Sequence, residues 1–349
     1  MLHFDLSEAI PFEQYHTFCG DEGKPIYFGT PFLGLSDLTR SHVVLNHKIL
    51  IDSNIMSDIR KGKNKENIAF LMRQGAIRHA ELSHIFSSAE LYINHRHPSF
   101  ALGEYYKAIN QNYGASIDKE LQNEFEEILT NTLSGIRRNI RFIRNWLVIA
   151  KYIYNRKVGL QKKAKELSEL IKYNHLPILS FMHMMVLLFS YVKENKNDFD
   201  EEIYDKIKSD MDYRPTLKKE IESLNNVARD ISLFMAATEI FYCFEDNVND
   251  FSWIASSDAT VGLILQEICF AKISSLETIS VRGVTYTQNH PSVGFRPSGK
   301  SFDTLNELIS KHAPIEEKNN LIRSESLCIK KGRLPIFAKN LLRMKYDKK

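Results

Sequence analysis

Apolar positions along this chain change period from one stretch to the next, and the changes mark its elements. Ile49, Leu50 and Ile51 are consecutive and run directly into Asp52, Ser53 and Asn54. An aliphatic run stopped by turn-forming residues predicts a buried strand, and residues 43–45 suit the same strand or a neighbour. Ile55 and Ile59 then open a helical period at once, with Ser53 or Asn54 as its cap. The helix-forming region extends over 56–90, broken at 61–67 by the polar run KGKNKEN. Upstream, residues 1–40 alternate short apolar pieces with Gly, Pro, Asp and Thr and predict short strands or loops.

Farther along, the helical period dominates. PSFALGEYYKAINQNYG (98–114) predicts a helix started by Pro98 or Ser99 and ended at Gly114. Phe100, Leu102 and Tyr106 supply its apolar contacts, and Glu104 lies near its first turns. Ile117, Leu121, Phe125, Ile128, Leu129 and Leu133 recur at three- and four-residue steps, and Ile136, Ile140, Ile143 and Leu147 continue the period to about residue 155. Residues 161–173 predict a mixed-charge helix. The acidic stretch 194–212 reads as an exposed excursion, and Arg214-Pro215 as a break. Helical patterning returns over 217–244 and 257–272, around a turn near 246–251. Residues 283–287 (GVTYT) are β-like and stop at Gln288-Asn289-His290-Pro291. The expected fold class is α/β and helix-rich.

Composition narrows this picture at two points. A chain of 349 residues with 43% hydrophobic content has ample material for a core, in two domains or in one with a large insertion. The most apolar stretch, 176–192 (LPILSFMHMMVLLFSYV), falls short of the roughly 20 residues that span a bilayer and contains Pro177 and His183, so it predicts a buried core helix and no membrane partner. Cys19, Cys243, Cys269 and Cys328 form no CxxC pair and read as free thiols; with no signal peptide visible, the expected location is cytoplasmic.

Charge is more informative by distribution than by sum, since the net value is only +3. Arg137, Arg141, Arg144 and Lys151 fall on one face of a helix. The segment from Arg323 to Lys349 carries nine Lys/Arg against Glu325 and Asp347, interrupted by Ile329, Leu334, Ile336, Phe337 and Leu341. Such faces are ordinarily solvated; their uniform sign also suits a phosphate backbone.

Four polar residues hold comparable positions. Asp52 ends a strand, Glu104 lies early in a helix, Asp258 opens the helix of ASSDATVGLILQEI behind Ser256 or Ser257, and Asn289 follows VTYTQ. This order resembles the PIN-domain nucleases: a strand ending in Asp followed closely by Asn, a helix carrying an acid, an Asp opening a later helix, and a strand ending in Thr-x-Asp or Thr-x-Asn. LIDSN, SFALGEYY, SSDATVGLIL and TYTQN stand in those places. The resemblance implies a short parallel sheet flanked by helices, built from residues 1–112 and 226–300, with a large helical insertion at 113–225 and a basic segment at 301–349. It implies a metal-dependent endonuclease, acting on RNA more than DNA, in a toxin or phage-defence role with an inhibitory protein partner. Asp52, Glu104 and Asp258 would be catalytic and, with Asn289, would hold Mg²⁺ or Mn²⁺, cations that prefer carboxylate oxygen. Asn54, Arg137, Arg141 and Arg144 would bind the substrate. Asp230, Glu239, Asp246 and Asp250 compete for the third acid's place.

Two other readings stand beside it. Arg78 and His84, six residues apart, resemble the short Arg…His signature of HEPN ribonucleases, in which a histidine works as an acid–base group without metal. A non-catalytic module with a degenerate PIN-like core, binding nucleic acid or protein, is the other. No GxSxG elbow and no GxxxxGK[ST] loop is present; PSGKS (297–301) lacks the first glycine at its required place.

Overall fold

A computed structural model describes residues 15–20, 23–32, 44–94, 98–113, 119–176, 180–240, 248–281, 284–312 and 324–347. In chain order its elements are β1 (His16–Phe18), β2 (Ile26–Gly29), β3 (Val44–Ile51), α1 (Ser53–Lys61), α2 (Lys65–Ile77), β4 (Glu81–Ser83), α3 (Ile85–Asn94), α4 (Pro98–Tyr113), α5 (Lys119–Tyr154), α6 (Leu160–Tyr173), α7 (Ser180–Glu194), α8 (Glu201–Met211), α9 (Leu217–Ile240), β5 (Val248–Ser256), α10 (Ala259–Glu267), β6 (Ile268–Val281), β7 (Val284–Phe295), α11 (Phe302–His312) and α12 (Ser324–Tyr346). The chain packs as two units. The first comprises Met1–Arg138, Asp230–Leu265 and Phe270–Ser292, and the second Asn139–Arg229, Gln266–Cys269 and Val293–Lys349. The helix-rich second unit thus takes in the C-terminal segment as well as much of 113–225.

In the first unit the aliphatic triplet does what its pattern predicts. Ile49, Leu50 and Ile51 are wholly buried in β3, which pairs in parallel with β5 on one side and β4 on the other. The sheet is mixed, in the order β1-β2-β5-β3-β4, because β2 joins β5 antiparallel and β1 joins β2 antiparallel. That corrects the expectation of a parallel sheet: only β5, β3 and β4 are parallel. The cap of α1 is also corrected. Asp52 itself accepts the Ile55 N–H at 2.7 Å, so neither Ser53 nor Asn54 is the N-cap. At the other end Gly62 takes φ 61°, the left-handed geometry in which its N–H reaches the Asp58 and Ile59 carbonyls. Gly262 in α10 lies against the Tyr27 ring so closely that a Cβ there would stand 2.5 Å from it, which fixes α10 against β2.

The second unit is helical around α7, whose residues Phe181 to Val192 are all buried. Within 194–212 the predicted excursion is instead α8, packed through Ile203, Ile207 and Met211. The run Arg137, Arg141, Arg144, Lys151 crosses from surface to core along one face of α5. Arg137 and Arg141 are exposed and Arg144 is half-buried, whereas Lys151 is buried and ion-paired with Glu220 at 2.7 Å. The helix expected over 257–272 ends at Glu267, where β6 begins. Among the described residues no helix is long and apolar enough to cross a membrane.

Candidate functional site

The parallel strands deliver polar residues to their carboxyl ends, the side of an open α/β sheet that binds ligands. Asp52 follows β3 and Asp258 follows β5. The register Ile51↔Ala255 sets the two chain ends side by side, and the Asp52 N–H bonds the Ala255 carbonyl at 3.1 Å. Each acid caps the helix that follows its strand: Asp52 caps α1, and Asp258 Oδ1 accepts the Thr260 N–H at 2.8 Å at the start of α10. Both are buried. Ser256 links them. Its hydroxyl donates to Asp52 Oδ2 at 2.6 Å and accepts the Asp258 N–H at 3.0 Å, while the Ser257 N–H adds a third bond to Asp52 at 3.0 Å.

These bonds do not cancel the cost of burying a charge. Asp52 is pushed up to about 6, chiefly by desolvation, and the nearby Asp258 carboxylate acts in the same direction. Three hydrogen bonds pull the other way without prevailing. The Ser257 Oγ is buried beside this pair and has no hydrogen-bond partner among the described residues.

His84 follows β4 and, by continuation of the Leu50↔Ser83 register, lies level with Ile51. Ser87, just inside α3, donates to the Ile51 carbonyl. His84 itself is enclosed: Nε2 is 3.0 Å from the Tyr106 hydroxyl, and the ring stacks on Phe125 with Tyr105 beside it. Burial lowers it to about 4, so it is neutral at physiological pH. Arg78 ends α2 on another part of the sheet, its guanidinium 4.4 Å from the Trp253 ring and bonded to Gln74. The two residues of the HEPN-like signature therefore do not share a helix face.

The remaining predicted site residues are dispersed. Glu104 is exposed on α4 and bonds Arg60 of the last turn of α1 at 2.6 Å, whereas Asp52 caps that helix's first turn. Asn54 is exposed on α1. Asn289 lies inside β7, which among the described residues pairs with β6 in a separate two-stranded sheet; its side chain lies outside the described residues. Arg144 is 3.4 Å from Asn225, and burial lowers its pKa. Of the competing acids, Asp230 is half-buried on α9, the side chains of Glu239 and Asp250 lie outside the described residues, and so does Asp246 altogether. Among the described residues no group of three His, Cys, Asp or Glu stands together as a metal site.

Sequence reasoning took Ser256 or Ser257 for the cap of α10, a place that Asp258 takes, and missed that both serve Asp52. The signal available was their place between a strand and an acid, but the partner is 204 positions away in the chain. Comparison with protein-family models, with curated proteins and with solved structures finds no match.

Proposed function

We propose that this chain is a divalent-cation-dependent nuclease whose working acids are Asp52 and Asp258, acting in the cytoplasm. One observation carries the reading: two buried acids follow the ends of adjacent parallel strands and are linked through Ser256, and one of them is held in part against its own ionisation. A cation there would relieve the repulsion and favour the ionised pair. The donor set suits Mg²⁺ or Mn²⁺, which need only one or two protein carboxylates when waters and a substrate phosphate complete the shell. Oδ1 of Asp52 accepts a single N–H, which leaves it a lone pair for such a ligand. When bound, the cation would activate water and stabilise charge on a phosphodiester. The protein's own part is to fix the two acids in place, through the helix caps and the Ser256 hydroxyl. Glu104, engaged with Arg60, falls outside this proposal.

The test is cleavage of labelled RNA and DNA with Mn²⁺. Asp52→Asn and Asp258→Asn should each lower the rate by at least about a hundredfold, of the order lost when a main electrostatic contributor is removed, and EDTA should abolish it. Glu104→Gln should stay within a few-fold. Cleavage that survives both aspartate changes and EDTA would refute the metal-carboxylate mechanism. A second reading, a binding module with a degenerate core, is favoured by the fact that both oxygens of Asp52 are already bonded within the chain. Nucleic-acid binding without cleavage under any of these conditions would select it.

A further inference from the structure

The turn between α1 and α2 carries Lys61, Lys63 and Lys65, all exposed. It also receives a lysine from elsewhere in the chain. Asn64 and Asn67 both donate side-chain N–H groups to the Lys24 carbonyl, at 2.8 and 3.1 Å, and Asn67 Oδ1 accepts the Gly20 N–H at 2.7 Å. The fit is close: Gly23, at φ 109°, lies so near Asn64 that a Cβ would stand 2.5 Å from its side chain. This clamp brings exposed Lys24 to the same turn. Among the described residues no carboxylate pairs with any of these four lysines, and Glu66 is the neighbouring acid on α2.

One helical turn beyond that clamp the surface becomes aromatic. Phe70 of α2 packs against Phe18, the rings tilted by 49° with centroids 3.9 Å apart, and lies nearly parallel to the exposed His16 ring, with an interplanar angle of 13° at 6.3 Å. Arg73, one turn farther and exposed, places its guanidinium 5.4 Å from the Phe70 ring. From Lys65 to Arg73 the helix rises about 12 Å, so cations, a ring stack and another cation succeed one another along α2.

We infer that this surface binds a single-stranded nucleic acid, with phosphates on the lysine turn and a base stacked at His16–Phe70. Lysines alone would suit any polyanion; rings of partly exposed aromatic residues flanked by a guanidinium are the chemistry that holds unpaired bases. The partner class is that of the proposed nuclease function, but the surface is distinct from the Asp52–Asp258 pair and from Arg137, Arg141 and Arg144. Binding can be measured where cleavage is blocked, so the two readings fail separately.

The experiment is fluorescence anisotropy of the full chain with fluorescein-labelled U20 RNA and dT20 DNA in EDTA, from 50 to 250 mM KCl. Replacing Lys61, Lys63 and Lys65 together by Gln should weaken binding at least tenfold at low salt and reduce the log–log salt slope by about 2, since a single strand releases roughly 0.7 counterion per neutralised phosphate. His16→Ala, at an exposed position that leaves the core intact, should weaken it about tenfold with no change of slope. Absence of binding by the unaltered chain overturns the inference, as does unchanged affinity in the triple variant. Equal binding of polyglutamate or of phosphatidylserine vesicles overturns it too, in favour of a generic polyanion site. Binding that behaves as expected, without cleavage once Mn²⁺ is restored, sinks the nuclease reading and leaves this one standing.

Discussion

Glu220 in the second unit and Asp52 in the first are both buried carboxylates, and they are satisfied in opposite ways. Glu220 has its own cation: Lys151 Nζ lies 2.7 Å from one oxygen, and the other accepts the Arg214 N–H at 2.7 Å and the Tyr346 hydroxyl at 3.0 Å. Lys151 also donates to the Asp212 carbonyl. Asp52 has three uncharged donors and, beside it, a second acid. The contrast separates a closed structural network from an open one. A carboxylate already neutralised by lysine has no use for a metal ion, whereas Asp52 is bonded to two N–H groups and one O–H and stands beside a second acid.

Breaking the closed network should have the largest effect. Lys151→Met keeps the length of the side chain but leaves Glu220 buried without its counter-charge, which should cost about 3–5 kcal/mol of stability in urea unfolding. Adding Glu220→Gln to that variant should recover part of the loss, because the uncompensated charge goes while the Arg214 N–H and Tyr346 hydroxyl keep an oxygen acceptor. If Lys151→Met costs no more than a surface change, about 0.5 kcal/mol, the pair is not the closed network described.

Asp52 should show its difference through pH. Its native pKa, about 6, lies above the ordinary value of 3.8, so between these values the folded chain holds the proton that the unfolded chain releases. Stability from this group is therefore fullest below about pH 4 and falls as pH rises toward 6, by some 2–3 kcal/mol in all. Asp52→Asn should abolish that fall, so the difference between the two pH–stability curves measured from pH 4 to 7 should change by that amount. Parallel curves would mean that the carboxylate is more solvated than its burial implies.

These two groups also show where sequence reading succeeds and where it stops. Asp52 was legible at the end of β3 because Ile49, Leu50 and Ile51 make a local pattern that needs no other part of the chain. Its pairing with Ser256 was not, since the register of β3 on β5 decides it. β4 was missed for a related reason: Glu81, Leu82 and Ser83 have no strand pattern and become a strand by pairing with Lys48, Ile49 and Leu50. Lys151 lies at helical spacing from Arg144 and looked like more of a solvated stripe; it enters the core because Glu220 of another helix meets it there. Glu104 was correctly placed on a helix, yet its destination depends on Arg60, which helix packing alone brings within reach. By contrast, the inward face of α8 was written locally in Ile203, Ile207 and Met211 at four-residue steps, and the surrounding acids and lysines concealed it.

The smallest expected effect is the one that bears most directly on the comparison. If the Asp52–Asp258 pair is open to a cation, Mn²⁺ at ten times its dissociation constant should stabilise the folded chain by about 1.4 kcal/mol, from RT ln(1 + [L]/Kd). The cation must compete with the proton on Asp52, so the thermal shift should grow as pH rises from 5 to 7. Asp52→Asn and Asp258→Asn should each remove the shift, while a change at Glu104, held by Arg60, should leave it in place. Glu220 supplies the internal control: its cation position is filled by Lys151, so Glu220→Gln should leave the Mn²⁺ shift of the unaltered chain in place. Equal Mn²⁺ stabilisation of the unaltered chain and of both aspartate variants would place the ion elsewhere. The two buried acids at the strand ends would then be helix caps that happen to be neighbours.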